Sequence, residues 1–243
     1  MQRYVFNCEF HEKQWLKRKK NVPLQPMNYK AALFDLDGVV IDTESQYSVF
    51  WGSQCRLYHP ELPGLENKIK GQTLTQIYDG WFSGELASEQ PAITQRLNEF
   101  EAQMDYGYIA GFEQFISMLR NKGWKTAVVT SSNQIKMTSV YRQHPEFHTI
   151  FDAILTSEDF SASKPDPDCY LKAAQRFGLK PSECMVFEDS FNGIKSGRAA
   201  GMTVVGLSTT NPAEAISPLC DLVIPDYEGL DDEKFCEIVS VSR

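Results

Sequence analysis

Six short, unbroken apolar runs, separated by stretches of helical spacing, most constrain what this chain can fold into. They fall at residues 30–35, 125–130, 152–156, 184–188, 202–207 and 221–224, and segments such as Ala127-Val128-Val129 and Met185-Val186-Phe187 are continuous rather than alternating. A strand with one wet face alternates apolar and polar residues. A run without polar interruption is buried on both faces, as in a parallel sheet covered by helices. Residues 112–122, 133–143, 167–178 and 191–200 carry helical spacing between the runs and supply that cover. The expectation is an α/β fold with a Rossmann-like, doubly wound parallel sheet as its core.

One interval breaks the rhythm. From Glu44 to Tyr108 there is no convincing strand, only helical patterns near 44–58, 73–82 and 89–106. That is too much chain for one crossover, and it reads as a helical cap, 44–108, inserted into a core made of 28–43 and 109–243. Ligands of parallel sheets bind outside the carboxyl ends of the strands, where an insertion after the first strand is placed to act as a lid. Residues 1–27 differ from the rest, with six basic and two acidic groups and the string Trp15-Leu16-Lys17-Arg18-Lys19-Lys20. A poorly ordered leader, or sequence upstream of a start at Met27, is a plainer reading of them than a basic partner-binding arm.

Composition narrows the partners. The 243 residues are 42% hydrophobic, enough for a substantial core, and carry a net charge of −8. Neither nucleic acid nor an anionic membrane is therefore expected as the main partner. The six cysteines are scattered without a Cys-x-x-Cys pair, which suits a reduced, cytoplasmic protein. The four histidines, at 11, 59, 144 and 148, lie beside no cysteine or motif carboxylate, so zinc is not expected. No apolar run approaches the ~18 residues of a membrane span, and no signal-peptide core precedes the first strand.

Chemistry-bearing residues recur where the runs end. Asp35-Leu36-Asp37-Gly38 follows Ala31-Ala32-Leu33-Phe34. One carboxylate there can attack an electrophile while the other moves a proton, and a divalent cation can hold the first against an anionic substrate. A calcium loop would need later acidic positions that are missing. Thr130-Ser131-Ser132-Asn133 offers a hydroxyl and free backbone N–H groups to a phosphate, or an N-cap to the next helix, or both. Lys164, in Lys164-Pro165-Asp166-Pro167, is a fixed positive charge suited to phosphate and carboxylate oxygens. Glu188-Asp189 would repel one another on a buried strand end unless a cation such as Mg²⁺ lay close by.

Together these residues identify a resemblance. Phe34-Asp35-Leu36-Asp37-Gly38-Val39-Val40-Ile41-Asp42-Thr43-Glu44 is similar to the first motif of the haloacid dehalogenase superfamily of phosphotransferases, in the branch with a helical cap after that motif. Thr130 matches the second motif, Lys164 in Ser-Lys-Pro-Asp-Pro the third, and Glu188-Asp189-Ser190 with Asn192-Gly193-Ile194 the fourth. The closest flavour is the β-phosphoglucomutase-like and phosphoglycolate-phosphatase-like group, and the likeness covers about residues 28–243.

The resemblance implies that Asp35 attacks phosphorus to form an aspartyl-phosphate and that Asp37 is the general acid and base. It implies Mg²⁺ held by Asp35, the Asp37 backbone carbonyl and Asp189, with Glu188 nearby or coordinating through water. Thr130, the Ser131 amide and Lys164 would bind the transferred phosphoryl group. An aspartate at position 37 argues against dehalogenation, and the cap lysines Lys68 and Lys70 read as solvated rather than as Schiff-base formers for phosphonate hydrolysis. Mutases of the branch carry a histidine shortly after the first motif and a cap arginine after a Lys-Gly pair; Tyr47 and Leu74 stand in those places. A monomeric phosphatase acting on a small phosphorylated metabolite of the sugar-phosphate class is expected, with a phosphomutase as the alternative. Gln72 and Thr73, in the cap segment after Lys70-Gly71, are expected at the mouth of the site, selecting the substrate. The cap aromatics Trp51, Tyr78, Trp81 and Phe82 read as packing.

Overall fold

The computed structural model describes residues 29–241. The leader expected over 1–27 lies outside the described residues. Six strands form one parallel sheet: β1 (Ala31–Phe34), β2 (Lys125–Val129), β3 (Ala153–Leu155), β4 (Cys184–Glu188), β5 (Thr203–Leu207) and β6 (Leu222–Ile224), in the order β3-β2-β1-β4-β5-β6. Each lies within one residue, at either end, of an apolar run in the sequence. The runs are unbroken because neighbouring side chains enter two separate cores. Ala32 and Phe34 pack with Met185, Phe187 and Val205 on one face, whereas Ala31 and Leu33 pack with Ala127, Val129 and Val186 on the other.

Strand order reverses at β1. The chain winds outward through β2 and β3 on one side and through β4, β5 and β6 on the other, leaving a crevice at the carboxyl ends. Register aligns those ends. Phe34 lies opposite both Val128 and Phe187, so Asp35 leaves β1 level with Val129 and Glu188.

Between β1 and β2 lie helices α1 (Glu44–Tyr58), α2 (Leu74–Trp81) and α3 (Gln90–Glu101). Phe50, Trp51, Cys55, Leu65, Ile77, Phe82, Ile93 and Leu97 form an apolar cluster of their own, and Tyr78 and Trp81 pack against it. The helical pattern over 89–106 ends earlier than its spacing predicts, at Glu101. Met104 and Tyr106 turn instead into the core beside the sheet, and the Tyr106 hydroxyl donates to the Glu101 carbonyl at 2.6 Å. Burying a tyrosine there outweighs one more helical turn. The core helices that flank the crevice are α4 (Phe112–Asn121), α5 (Gln134–Gln143), α6 (Asp168–Arg176) and α7 (Phe191–Ala199).

Candidate active site

Asp35 follows β1, its amide donating to the Phe187 carbonyl at 3.0 Å. The Lys164 ammonium, 6% exposed, ties three strands together. It donates to Asp35 Oδ1 at 2.6 Å, to Glu188 Oε1 at 2.7 Å and to the Val129 carbonyl at 3.0 Å. Glu188 is fully buried and saturated. Tyr170 donates its hydroxyl to Oε1 at 2.7 Å, and the Asp189 amide, the Ser190 amide and the Ser190 hydroxyl reach Oε2 at 3.2–3.3 Å.

Asp37 lines the same cavity but is held by different partners. Lys136 Nζ meets both of its carboxylate oxygens at 2.5 Å, Thr43 Oγ1 donates to Oδ1 at 2.5 Å and Ser132 Oγ to Oδ2 at 3.2 Å. Gly38 turns the chain directly after Asp37. Its φ is +72°, and a Cβ there would come within 2.2 Å of Asp189 Oδ2, so a side chain is excluded on both counts. Asp189 in turn accepts a hydrogen bond from the Thr210 hydroxyl, and the Asn211 amide donates to its backbone carbonyl at 2.9 Å. Thr130 and Ser131 line the same cavity, of about 190 Å³, and the Thr130 hydroxyl accepts from the Ser132 amide at 3.0 Å.

Asp35, Glu188 and Asp189 each offer an oxygen within 4.8 Å of the others. Burial, with Glu188 and Asp37 adding to it, pushes the Asp35 carboxyl up to about 7 against the pull of Lys164. Burial and the neighbouring Glu188 and Asp35 push Asp189 well above the usual carboxylate range. Lys164 pairs with Asp35 and Glu188 but not with Asp189, so this group of three carboxyls carries more negative charge than that one ammonium offsets. Such a set of hard oxygens fits a divalent cation.

The segment between β1 and β2 meets the rim of this site at Gly71 and Gln76. Gly71 has φ +69°, and a Cβ on it would meet Ser190 Cβ at 2.8 Å. Gln76 Nε2 donates to the Lys164 carbonyl at 3.1 Å. Gln72 and Thr73 do line the cavity, but their polar atoms also serve the loop. Thr73 caps α2 by accepting from the Gln76 amide at 3.2 Å, and Gln72 Nε2 donates to the Lys68 carbonyl at 3.0 Å.

A family profile described as haloacid dehalogenase-like hydrolase matches residues 29–201. The chain belongs to that family. It is 31% identical over 215 residues to a probable pseudouridine-5'-phosphatase of Drosophila melanogaster, covering 82% of this chain and 93% of that one. To the bifunctional riboflavin kinase/FMN phosphatase of Arabidopsis thaliana it is 29% identical over 209 residues, 78% of this chain and 53% of that larger protein. In structure it is similar to a family IA, variant 3 hydrolase from Entamoeba histolytica, with a TM-score of 0.73 at 23% identity, covering 86% of this chain and 99% of that one. At that identity the likeness concerns the fold alone.

Several residues that build the hydrolase's site escaped the reading of the sequence: Lys136, Thr43, Tyr170, Gln76, Thr210 and Asn211. For Lys136 a signal existed. It is a lysine one turn after Thr130-Ser131-Ser132-Asn133, on the helix face that must turn toward the strand ends. Asn133 caps that helix, α5, accepting from the Lys136 amide at 3.0 Å.

Glu44 gives the hydrolase a pH dependence of its own. Burial and the Asp37 charge push its carboxyl up from an ordinary 4.5 to about 7, despite Lys136 and Lys70. The folded state therefore holds this proton more tightly than the unfolded state. The stability due to Glu44 is complete below about pH 4.5 and is lost as pH rises through about 7. Glu44→Gln should accordingly raise the melting temperature at about pH 8 and leave it nearly unchanged at about pH 4, without added divalent cation. A gain of equal size at both values would contradict the assignment.

Proposed function

We propose that this hydrolase is a Mg²⁺-dependent phosphatase hydrolysing a small phosphorylated metabolite of the sugar-phosphate class through an aspartyl-phosphate. The observation that carries the reading is the Lys164 ammonium bonded at once to Asp35 and to Glu188, with another carboxyl of the same cavity, Asp37, held by a separate partner, Lys136. The two phosphatase relatives support the reaction class.

An oxygen of Asp35 attacks phosphorus and the bond to the leaving oxygen breaks, Asp37 giving that oxygen a proton. Water then attacks phosphorus, the bond to Asp35 breaks, and Asp37 takes a proton from the water. Thr130, the Ser131 amide and Lys164 hold the transferred phosphoryl group. Asp35, the Asp37 carbonyl and Asp189 would hold Mg²⁺, with Glu188 behind them or reaching it through water. When bound, that ion neutralises charge on the phosphoryl oxygens and on the carboxylates. Gln72 and Thr73, at the cap loop, face the part of the substrate that is not transferred.

No observation favours the mutase alternative: Leu74 stands where such an enzyme has an arginine, and the Tyr47 hydroxyl is spent on Glu101 at 2.7 Å. Among the described residues, no helix is long and apolar enough to cross a membrane. We place the enzyme in the cytoplasm as a monomer.

The test is phosphate release from a panel of sugar phosphates, phosphoglycolate, nucleotides and pyrophosphate, with Mg²⁺ and with a chelator. Release that needs Mg²⁺ and favours one compound is expected. Release untouched by chelation would remove the metal from the proposal, and isomerised product without release would replace hydrolysis by phosphomutase chemistry.

A further inference from the structure

Lys136 violates two local rules at once. It stands in the first turn of α5, where the helix dipole disfavours a cation, and it is only 4% exposed, where an ammonium loses its hydration. A buried charge persists in such a place only when its partners compensate it, and rule-breaking of this kind gathers at functional sites. Among the described residues its ion-pair partner is the Asp37 carboxyl, with Glu44 and Glu101 adding negative charge further off.

The contact fixes an orientation as well as balancing a charge. An ammonium bonded to one carboxylate oxygen leaves the group free to rotate about its last torsion. Lys136 Nζ is 2.5 Å from both oxygens, and the two hydroxyls that flank it take different edges, Thr43 on Oδ1 and Ser132 on Oδ2. The lysine is itself backed by the cap. Its Nζ lies 4.8 Å from the centroid of the Tyr47 ring, and the Tyr47 hydroxyl is anchored on Glu101 of α3. Asp37 is thus set by a lysine clamped between a core helix and two cap helices.

We propose that Lys136 is the positioning residue of this enzyme, holding the Asp37 carboxyl at the angle from which it exchanges a proton with the leaving oxygen and with water. The inference rests on the role of Asp37 proposed above. Ser132, with the longest of the contacts to Asp37, occupies the edge that the leaving oxygen takes.

A double-mutant cycle tests it, with wild type, Lys136→Met, Asp37→Asn and the double variant assayed on an alkyl phosphate and on p-nitrophenyl phosphate. On the alkyl phosphate Lys136→Met should lower kcat by about 10²-fold with KM within about threefold, because only proton transfer is impaired. On p-nitrophenyl phosphate the loss should be smaller, since the aryl oxide departs without a proton. In the Asp37→Asn background Lys136→Met should cost no more than about twofold, the signature of two groups acting as one. Lys136→Arg keeps the charge but not its position. It should lower kcat while sparing KM, and it stands in if the methionine variant fails to fold.

Equal losses from Lys136→Met with and without Asp37, or a raised KM at unchanged kcat, would overturn the proposal and make Lys136 a phosphate-binding residue. The phosphatase reading has its own arm. No release from any compound of the panel above removes both readings, whereas turnover with additive losses removes only this one.

Discussion

Asp35→Asn should abolish turnover, with a loss in kcat on the order of 10⁴–10⁶-fold, as removal of a covalent nucleophile does elsewhere. The amide has the shape of the carboxyl and still offers Lys164 an oxygen, but it is not a nucleophile toward phosphorus. The fold should not suffer. Burial raises the Asp35 carboxyl to about 7, so folding disfavours its ionised form relative to the unfolded chain, and a neutral amide there relieves repulsion from Glu188 and Asp37. A melting temperature equal to or above that of wild type is expected beside the lost activity. A variant retaining a tenth of the wild-type kcat would rule out covalent attack by this residue.

Lys164→Met should have the largest effect on stability. The ammonium serves Asp35, Glu188 and the Val129 carbonyl, and of these Glu188 is wholly buried. Removing the cation leaves two carboxylates facing each other at the ends of adjacent strands, with no water to solvate Glu188. Breaking a buried pair in this way costs about 3–5 kcal/mol. The cost should appear as a lower midpoint in urea at about pH 7.5 without Mg²⁺, and Mg²⁺ should recover part of it, since a second cation would share the same carboxylates. An unchanged midpoint would mean that Lys164 contributes little to holding the sheet end together.

The contrast with Lys136 is instructive. Both are buried lysines bonded to motif carboxyls, yet Lys164 bridges β1, β2 and β4 of the sheet while Lys136 meets the Asp37 carboxyl and the Tyr47 ring. The first substitution should read out in unfolding and the second in proton transfer. That separation makes the two lysines distinguishable in one set of purified variants.

Much of this site was legible in the chain because it follows from local rules. Asp35, Thr130 and Glu188-Asp189 each sit on or just after a run of apolar residues, and parallel strands in register carry such ends to a common edge. Lys164 was legible for a different reason: a proline-bracketed lysine just past a strand has few places to go. What escaped was whatever depends on pairing across long stretches of chain. Thr210 and Asn211 look like ordinary turn residues, and only the packing of the segment after β5 against the end of β4 shows that they hold Asp189. Gln76 looks like the third residue of a capping box, which it is, and its second role on the Lys164 carbonyl needs the cap closed. The helix predicted over 89–106 erred in the same direction: periodicity continued past Glu101, but the sheet offered Tyr106 a better place.

By itself, then, the sequence determined the strands, the helices between them and the carboxylates at the strand ends, because hydrophobic periodicity and burial on two faces act over a few residues. Only the tertiary structure decided which charges meet. Lys136 reaches Asp37 across 99 positions of chain and Lys164 reaches Asp35 across 129. Nothing local encodes such encounters; they follow from packing helices and cap onto the sheet, where a buried charge is tolerated only beside its partner.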